Sequence, residues 1–261
     1  MSDFDTLALT HGEDGVSTLT LQRPDKLNAL NPDVLDELKA ASEEAGARDD
    51  LRVLILKGEG RAFIAGADIA SMAEMSPEEA EAFGRKGHQT MAALESLSVP
   101  VIAAVDGFAL GGGLEVALSC DLIYASGRAT FGLPEVSLGI IPGFGGTQRL
   151  GRVVGWQRAR EMVYSASRID AETAEEIGLV CDCFEVDTFE AKVREVAASI
   201  ASNGPLAVRA AKQTMHAGQE TPLEEGLELE RRAFAELFET DDRVEGLEAF
   251  IESRDPEFQG S

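Results

Sequence analysis

The chain has 261 residues, with 23 Lys plus Arg against 47 Asp plus Glu and a formal net charge of −24 at pH 7. A surface this negative repels phosphate backbones and anionic headgroups, which excludes nucleic-acid and membrane-surface roles unless a local basic patch opposes the field. With 44% hydrophobic residues the chain carries enough apolar material for a core, so disorder is excluded as well.

Taken in chain order, the alternation over residues 16–21 predicts a half-buried strand that pairs with residues 7–10 across a glycine turn. Asn31 ahead of Pro32 predicts a capped helix running to about Ala47. Residues 51–56 read as a buried strand ending at Gly58. Ser76 followed by Glu79 is a capping-box pattern, opening a helix that runs to about Leu97. Residues 101–105 and 122–125 are further buried strands. Beyond Asp187, the segments 188–202, 205–217, 221–239 and 241–252 all carry helical spacing. Strands alternating with helices predict an α/β fold, with residues 1–200 as a core that holds the active site and 201–261 as a helical C-terminal region.

Cys120, Cys181 and Cys183 offer no disulfide framework and imply a reducing, cytoplasmic setting. His11, His88 and His216 are scattered without metal-ligand spacing, so no metal is expected. The opening MSDFDTLALT lacks a secretory pattern. The apolar stretch 99–118 is interrupted by Asp106 and Glu115, so no membrane span is expected. Only six lysines occur, and many carboxylates with Arg as the main cation suit the surface of a protein from a high-salt cytoplasm.

Three glycine-rich loops hold the candidate chemistry: residues 65–68, 111–113 and 143–147. None fits a dinucleotide fingerprint, a phosphate-binding loop or a nucleophile elbow. The second follows a strand and opens the helical segment 114–119, so its first N–H groups face a ligand unpaired. Ala67 offers a second backbone donor, and two N–H groups converging on one oxygen form an oxyanion hole. Glu115 sits among apolar neighbours that predict a half-buried carboxylate with a raised pKa, and Glu135 is a second carboxylate in an apolar segment. Paired carboxylates beside an oxyanion hole suit proton transfer next to a carbonyl.

The stretches IAGADI (64–69), AAVDGFALGGGLEVALSCDLIYA (103–125) and FGLPEVSLGIIPGFGGTQRL (131–150), within a match from RPDKLNAL near Arg23 to TDDRVEGLEAFIE near Thr240, resemble the crotonase superfamily and, within it, the enoyl-CoA hydratases. The resemblance implies a spiral core of ββα turns and a helical C-terminal region that builds homotrimers, commonly homohexamers made of two trimers. It places the oxyanion donors on the N–H groups of Ala67 and Gly112 and the catalytic acids on Glu115 and Glu135. Coenzyme A contacts fall on Lys26, Leu27, Ala29, Ala65, Ala67, Asp68, Ile69 and Gly112, and no separate cofactor is implied because coenzyme A arrives with the acyl-CoA substrate. Hydration of trans-2-enoyl-CoA to 3-hydroxyacyl-CoA is the leading reading. Isomerisation or a specialised dehydration is the alternative, and a non-catalytic CoA-binding or RNA-binding scaffold is the reading from another class. Phe144, Met72, Met75, Leu94, Leu118 and Leu138 are candidates for an acyl pocket, with plain core packing as the competing reading. Core packing is expected of Tyr124 and Trp156. Arg149, Arg152, Arg158, Arg160 and Arg168 make a locally basic stretch, expected to face the ligand or a subunit interface.

Overall fold

The computed structural model describes residues 4–261; the first three residues of the MSDFDTLALT opening lie outside this range. β1 (Leu7–His11) and β2 (Val16–Leu21) form an antiparallel hairpin that pairs Leu7 with Leu21 and His11 with Ser17. A 3₁₀ turn at Pro24–Lys26 leads into α1 (Pro32–Gly46), where the Asn31 side chain accepts from the Val34 N–H at 2.9 Å. Val34, Leu35, Leu38, Ala41 and Ala45 recur at helical spacing and are all buried, so α1 lies on the sheet and returns the chain to β3 (Val53–Gly58), parallel to β2.

Three ββα turns follow. The first is β3 with β4 (Ala62–Ile64), then α2 (Ile69–Met72) and α3 (Pro77–Glu95), whose start carries the expected reciprocal capping box between Ser76 and Glu79. The second is β5 (Val101–Val105), β6 (Phe108–Leu110) and α4 (Gly112–Ala117). The third is β7 (Leu122–Ser126) and β8 (Thr130–Gly132), then a 3₁₀ turn at Glu135–Leu138 before α5 (Gly146–Val154) and α6 (Trp156–Ser165). The core closes with β9 (Arg168–Asp170), α7 (Ala171–Glu176), β10 (Asp182–Phe184) and α8 (Phe189–Ala201). α9 (Pro205–Gly218), α10 (Leu223–Glu236) and α11 (Asp241–Glu252) complete the chain.

Each turn contributes one strand to a six-stranded sheet, β1-β2-β3-β5-β7-β10, and one to a four-stranded sheet, β4-β6-β8-β9. This is the spiral that the resemblance implies. The main core fills the space inside the spiral. A second apolar cluster joins Phe189, Val193, Ala197 and Ala201 of α8 to Val16, Val53, Ile55, Ile102 and Ala104 on the opposite face of the large sheet.

The structure departs from the sequence expectations at short elements. β4, β6, β8, β9 and β10 have three residues each, too few for alternation to announce them. Tyr124 packs as expected, stacked on Phe184 with ring centroids 5.7 Å apart. Trp156 does not enter the core: its ring lies across Gly151 and the residue stays 46% exposed.

Candidate active site

β4, β6 and β8 run parallel, so the three segments that follow them leave the small sheet at one end. After β4 comes Ala67, bridged to Leu30. The Leu30 N–H donates to the Gly66 carbonyl at 2.9 Å and the Asp68 N–H donates to the Leu30 carbonyl at 2.7 Å. A parallel bridge of this kind turns the N–H of its central residue, Ala67, away from the partner strand. After β6, Gly111 adopts φ +52°, and a Cβ there would meet Glu135 Oε1 at 2.8 Å. Gly112 then begins α4, where its N–H has no acceptor within the helix. A Cβ on Gly113 would lie 2.0 Å from the Ile64 carbonyl, which shows how tightly the start of α4 packs on the end of β4.

Glu115, one turn into α4, is 1% exposed. Its Oε1 accepts from the N–H groups of Phe144 at 2.8 Å and Gly146 at 2.7 Å. Gly146 is the first residue of α5, so the carboxylate sits at the positive end of that helix. Burial pushes the Glu115 pKa up, opposed by the two N–H bonds and by the charge of Arg149. Arg149 also holds the loop itself, because its guanidinium grips both oxygens of Glu95 and donates to the Phe144 carbonyl at 3.0 Å.

Glu135, at the start of the 3₁₀ turn after β8, is held differently. Its Oε2 is buried without a hydrogen-bond partner, and burial together with the nearby Glu115 charge raises its pKa to about 7. Both acids line a cavity of about 740 Å³ with Ala65, Ala67, Ile69 and Gly112. The arrangement is two carboxyls in different protonation environments and two free N–H groups facing one mostly apolar space, which equips it for acid–base chemistry beside a polarised carbonyl.

A family model described as enoyl-CoA hydratase/isomerase matches residues 11–261. The chain belongs to the enoyl-CoA hydratase/isomerase family. It is 45% identical over 243 residues to the short-chain-enoyl-CoA hydratase of Clostridium acetobutylicum, covering 93% of each chain. It is 43% identical to the crotonyl-CoA hydratase of Syntrophomonas wolfei, covering 94% of this chain and 95% of that one. The crystal structure of an enoyl-CoA hydratase from Bacillus anthracis superposes with a TM-score of 0.96 at 41% identity, covering 98% of this chain and 100% of the other.

Of the contacts that membership in the enoyl-CoA hydratase/isomerase family suggests for coenzyme A, Ala65, Ala67, Ile69 and Gly112 line the cavity, whereas Lys26, Leu27, Ala29 and Asp68 do not. Those four stand on the adjoining strip. The Ala65 N–H donates to the Leu27 carbonyl at 3.0 Å, Arg23 donates to the Ala29 carbonyl at 2.6 Å and stands 3.9 Å from Asp68, and Lys26 is exposed. Asn28, unremarked in the sequence, is the centre of this strip. It is fully buried with φ +56°, accepts from the Arg23 N–H and donates to the Glu59 and Ala62 carbonyls. A polar residue between apolar neighbours in the LNAL segment was the one available signal.

Met72, Met75, Leu138 and Phe144 line the cavity as expected, but Leu94 and Leu118 do not. Leu94 faces the core between α3 and α1, and Leu118 falls beyond the end of α4, on a separate cleft beside Cys120 and Lys212. The arginine stretch also divides. Arg152 and Arg158 pair with the exposed acids Glu220 and Glu161, Arg149 acts through the Phe144 loop, and Arg168 alone of the five lines the cavity. Among the described residues, no group of three or more His, Cys, Asp or Glu could hold a metal ion, and no helix is long and apolar enough to cross a membrane.

Proposed function

We propose that this protein is an enoyl-CoA hydratase that adds water reversibly to trans-2-enoyl-CoA thioesters to give 3-hydroxyacyl-CoA. The observation that carries the reading is the pair of unlike carboxyls beside two free N–H groups. The thioester oxygen accepts from the Ala67 and Gly112 N–H groups, which stabilise the enolate charge that builds as the nucleophile adds. Both N–H bonds to Glu115 fall on Oε1, leaving Oε2 to orient a water and take its proton as the oxygen attacks Cβ. Glu135, with a pKa raised to about 7, keeps a large protonated fraction at neutral pH, and that form delivers its proton to Cα. With both groups on one water and one substrate, the two titrate as a pair. Coenzyme A enters as part of the substrate, its nucleotide lying along the strip of Lys26, Leu27, Ala29, Ala65, Asp68 and Ile69.

The C-terminal helices present Leu223, Phe234, Phe250 and Ile251 to solvent, Phe250 at 85% exposure. An apolar face of this kind suits burial between copies of the chain in a homotrimer, with two trimers stacking into a hexamer. The acidic surface suits a high-salt cytoplasm, and the three free cysteines suit its reducing chemistry.

The hydratase reading is tested by following the conjugated enoyl absorbance of crotonyl-CoA. The signal is expected to fall with the wild type, and kcat to drop by about a hundred-fold or more in Glu115→Gln or Glu135→Gln. Full activity in either variant would falsify the two-acid assignment.

A further inference from the structure

The cavity is lined by three ionisable groups: the two acids and Arg168. The chain has 47 carboxylates to 23 cations, and among the described residues only Arg61, Arg160 and Arg168 have guanidiniums with neither an ion pair nor a hydrogen bond, of which Arg168 alone lines the cavity. Arg168 is exposed at the rim, and Pro134, Leu138, Ile140 and Ile141 are among the apolar residues that line the same cavity. Its charge does not serve the catalytic pair. The cation that acts on Glu115 is Arg149, and none acts on Glu135.

Position adds to this. Arg168 stands opposite Gly132 in the β8–β9 pair, and a Cβ on Gly132 would meet its Cγ at 3.4 Å. Across the order β4-β6-β8-β9, the sheet then presents the thioester donors at β4 and β6, the Glu135 acid at β8 and a free cation at β9. β9 lies two strand spacings from β6, roughly 10 Å, a distance that an acyl chain of about five or six carbons and one hydrogen bond spans.

We propose that Arg168 receives a carboxylate at the far end of the acyl chain, so that the substrate class of this site is the 2-enoyl-CoA thioesters of dicarboxylic acids. The inference rests on the hydratase reading and deepens it. A guanidinium is suited to the task, since it grips a carboxylate through two parallel N–H bonds and keeps its charge at every working pH.

The test compares kcat/KM for the thioesters of hex-2-enoic acid and hex-2-enedioic acid, at one fixed salt concentration, in the wild type, Arg168→Gln and Arg168→Lys. The wild type is expected to favour the diacid. Arg168→Gln is expected to lower the diacid-to-monoacid ratio by about ten- to a hundred-fold, chiefly through KM, and Arg168→Lys to restore part of it. A wild type that prefers the monoacid, or a ratio unmoved by Arg168→Gln, overturns the proposal while leaving the hydratase reading intact. Failure of the wild type to hydrate either thioester overturns both.

Discussion

Glu115 and Glu135 are the same residue type in the same cavity, and their hydrogen bonds set them apart. Glu115 has two N–H donors on one oxygen, whereas Glu135 has a buried oxygen with none. The consequence is a pH limb. In the proposed hydration Glu135 supplies its proton and has a pKa of about 7, so kcat/KM is expected to fall as pH rises through about 7, and this limb should be absent from the residual rate of Glu135→Gln. The same shift enters stability with a definite sign. A carboxyl whose folded pKa is raised contributes stability that is complete below its ordinary value of 4.5 and lost as pH rises through about 7. Glu135→Gln is therefore expected to melt close to the wild type near pH 4.5 and to be more stable at pH 8, by roughly 1–2 kcal/mol because solvent screens part of the charge. Thermal melts at the two pH values decide this. Glu115 was legible from its apolar flanks, which predict burial. Asn28 was not, since its role depends on carbonyls of Glu59 and Ala62 more than thirty positions away.

At the scale of elements, the site depends on the junction of α3, α4 and α5. Phe144 carries one of the two donors to Glu115, and its ring packs edge-on against Phe83 of α3, with centroids 5.1 Å apart. Room for that ring comes from Gly87, where a Cβ would lie 2.0 Å from Phe144 Cδ1. Gly87→Ala is thus expected to displace the Phe144 loop, cost about 1–3 kcal/mol through overpacking and lower kcat by about ten-fold or more. Denaturant melts and the crotonyl-CoA assay measure the two effects, and an unchanged kcat would detach the loop from catalysis. The long elements were legible because they carry local signals: Asn31 caps α1, and the Ser76–Glu79 box opens α3. The small sheet was not. Its three-residue strands bury consecutive residues, as Ala62, Phe63 and Ile64 do in β4, and a fully buried triplet shows no period. That unannounced sheet is what brings Ala67, Gly112 and Glu135 to one place.

At the scale of the whole molecule, the −24 charge sets the response to salt. Most ion pairs are on the surface, such as Arg85–Glu81 and Arg254–Glu252, and contribute little each, so the surplus carboxylates dominate. If the surface suits concentrated salt, raising salt from about 0.1 M to 1 M, which shortens the Debye length from about 10 Å to 3 Å, should raise the melting temperature. If the chain assembles into the proposed trimer, low salt should dissociate it before the fold is lost. Circular dichroism and light scattering across the series follow both, and a melting temperature flat in salt would place the protein among ordinary acidic proteins.

The sequence by itself determined the α/β class and the long helices with their caps, and it singled out Glu115, Glu135, Ala67 and the glycine run at 111–113 as candidates. Each of these is written in neighbouring residues as a period, a cap, a glycine run or an apolar flank. Only the tertiary structure decided which oxygen of Glu115 is held, which of the acyl-pocket candidates face the cavity, and which unpaired arginine lines it. Those outcomes depend on which distant segments the two sheets place side by side, and no local pattern records that.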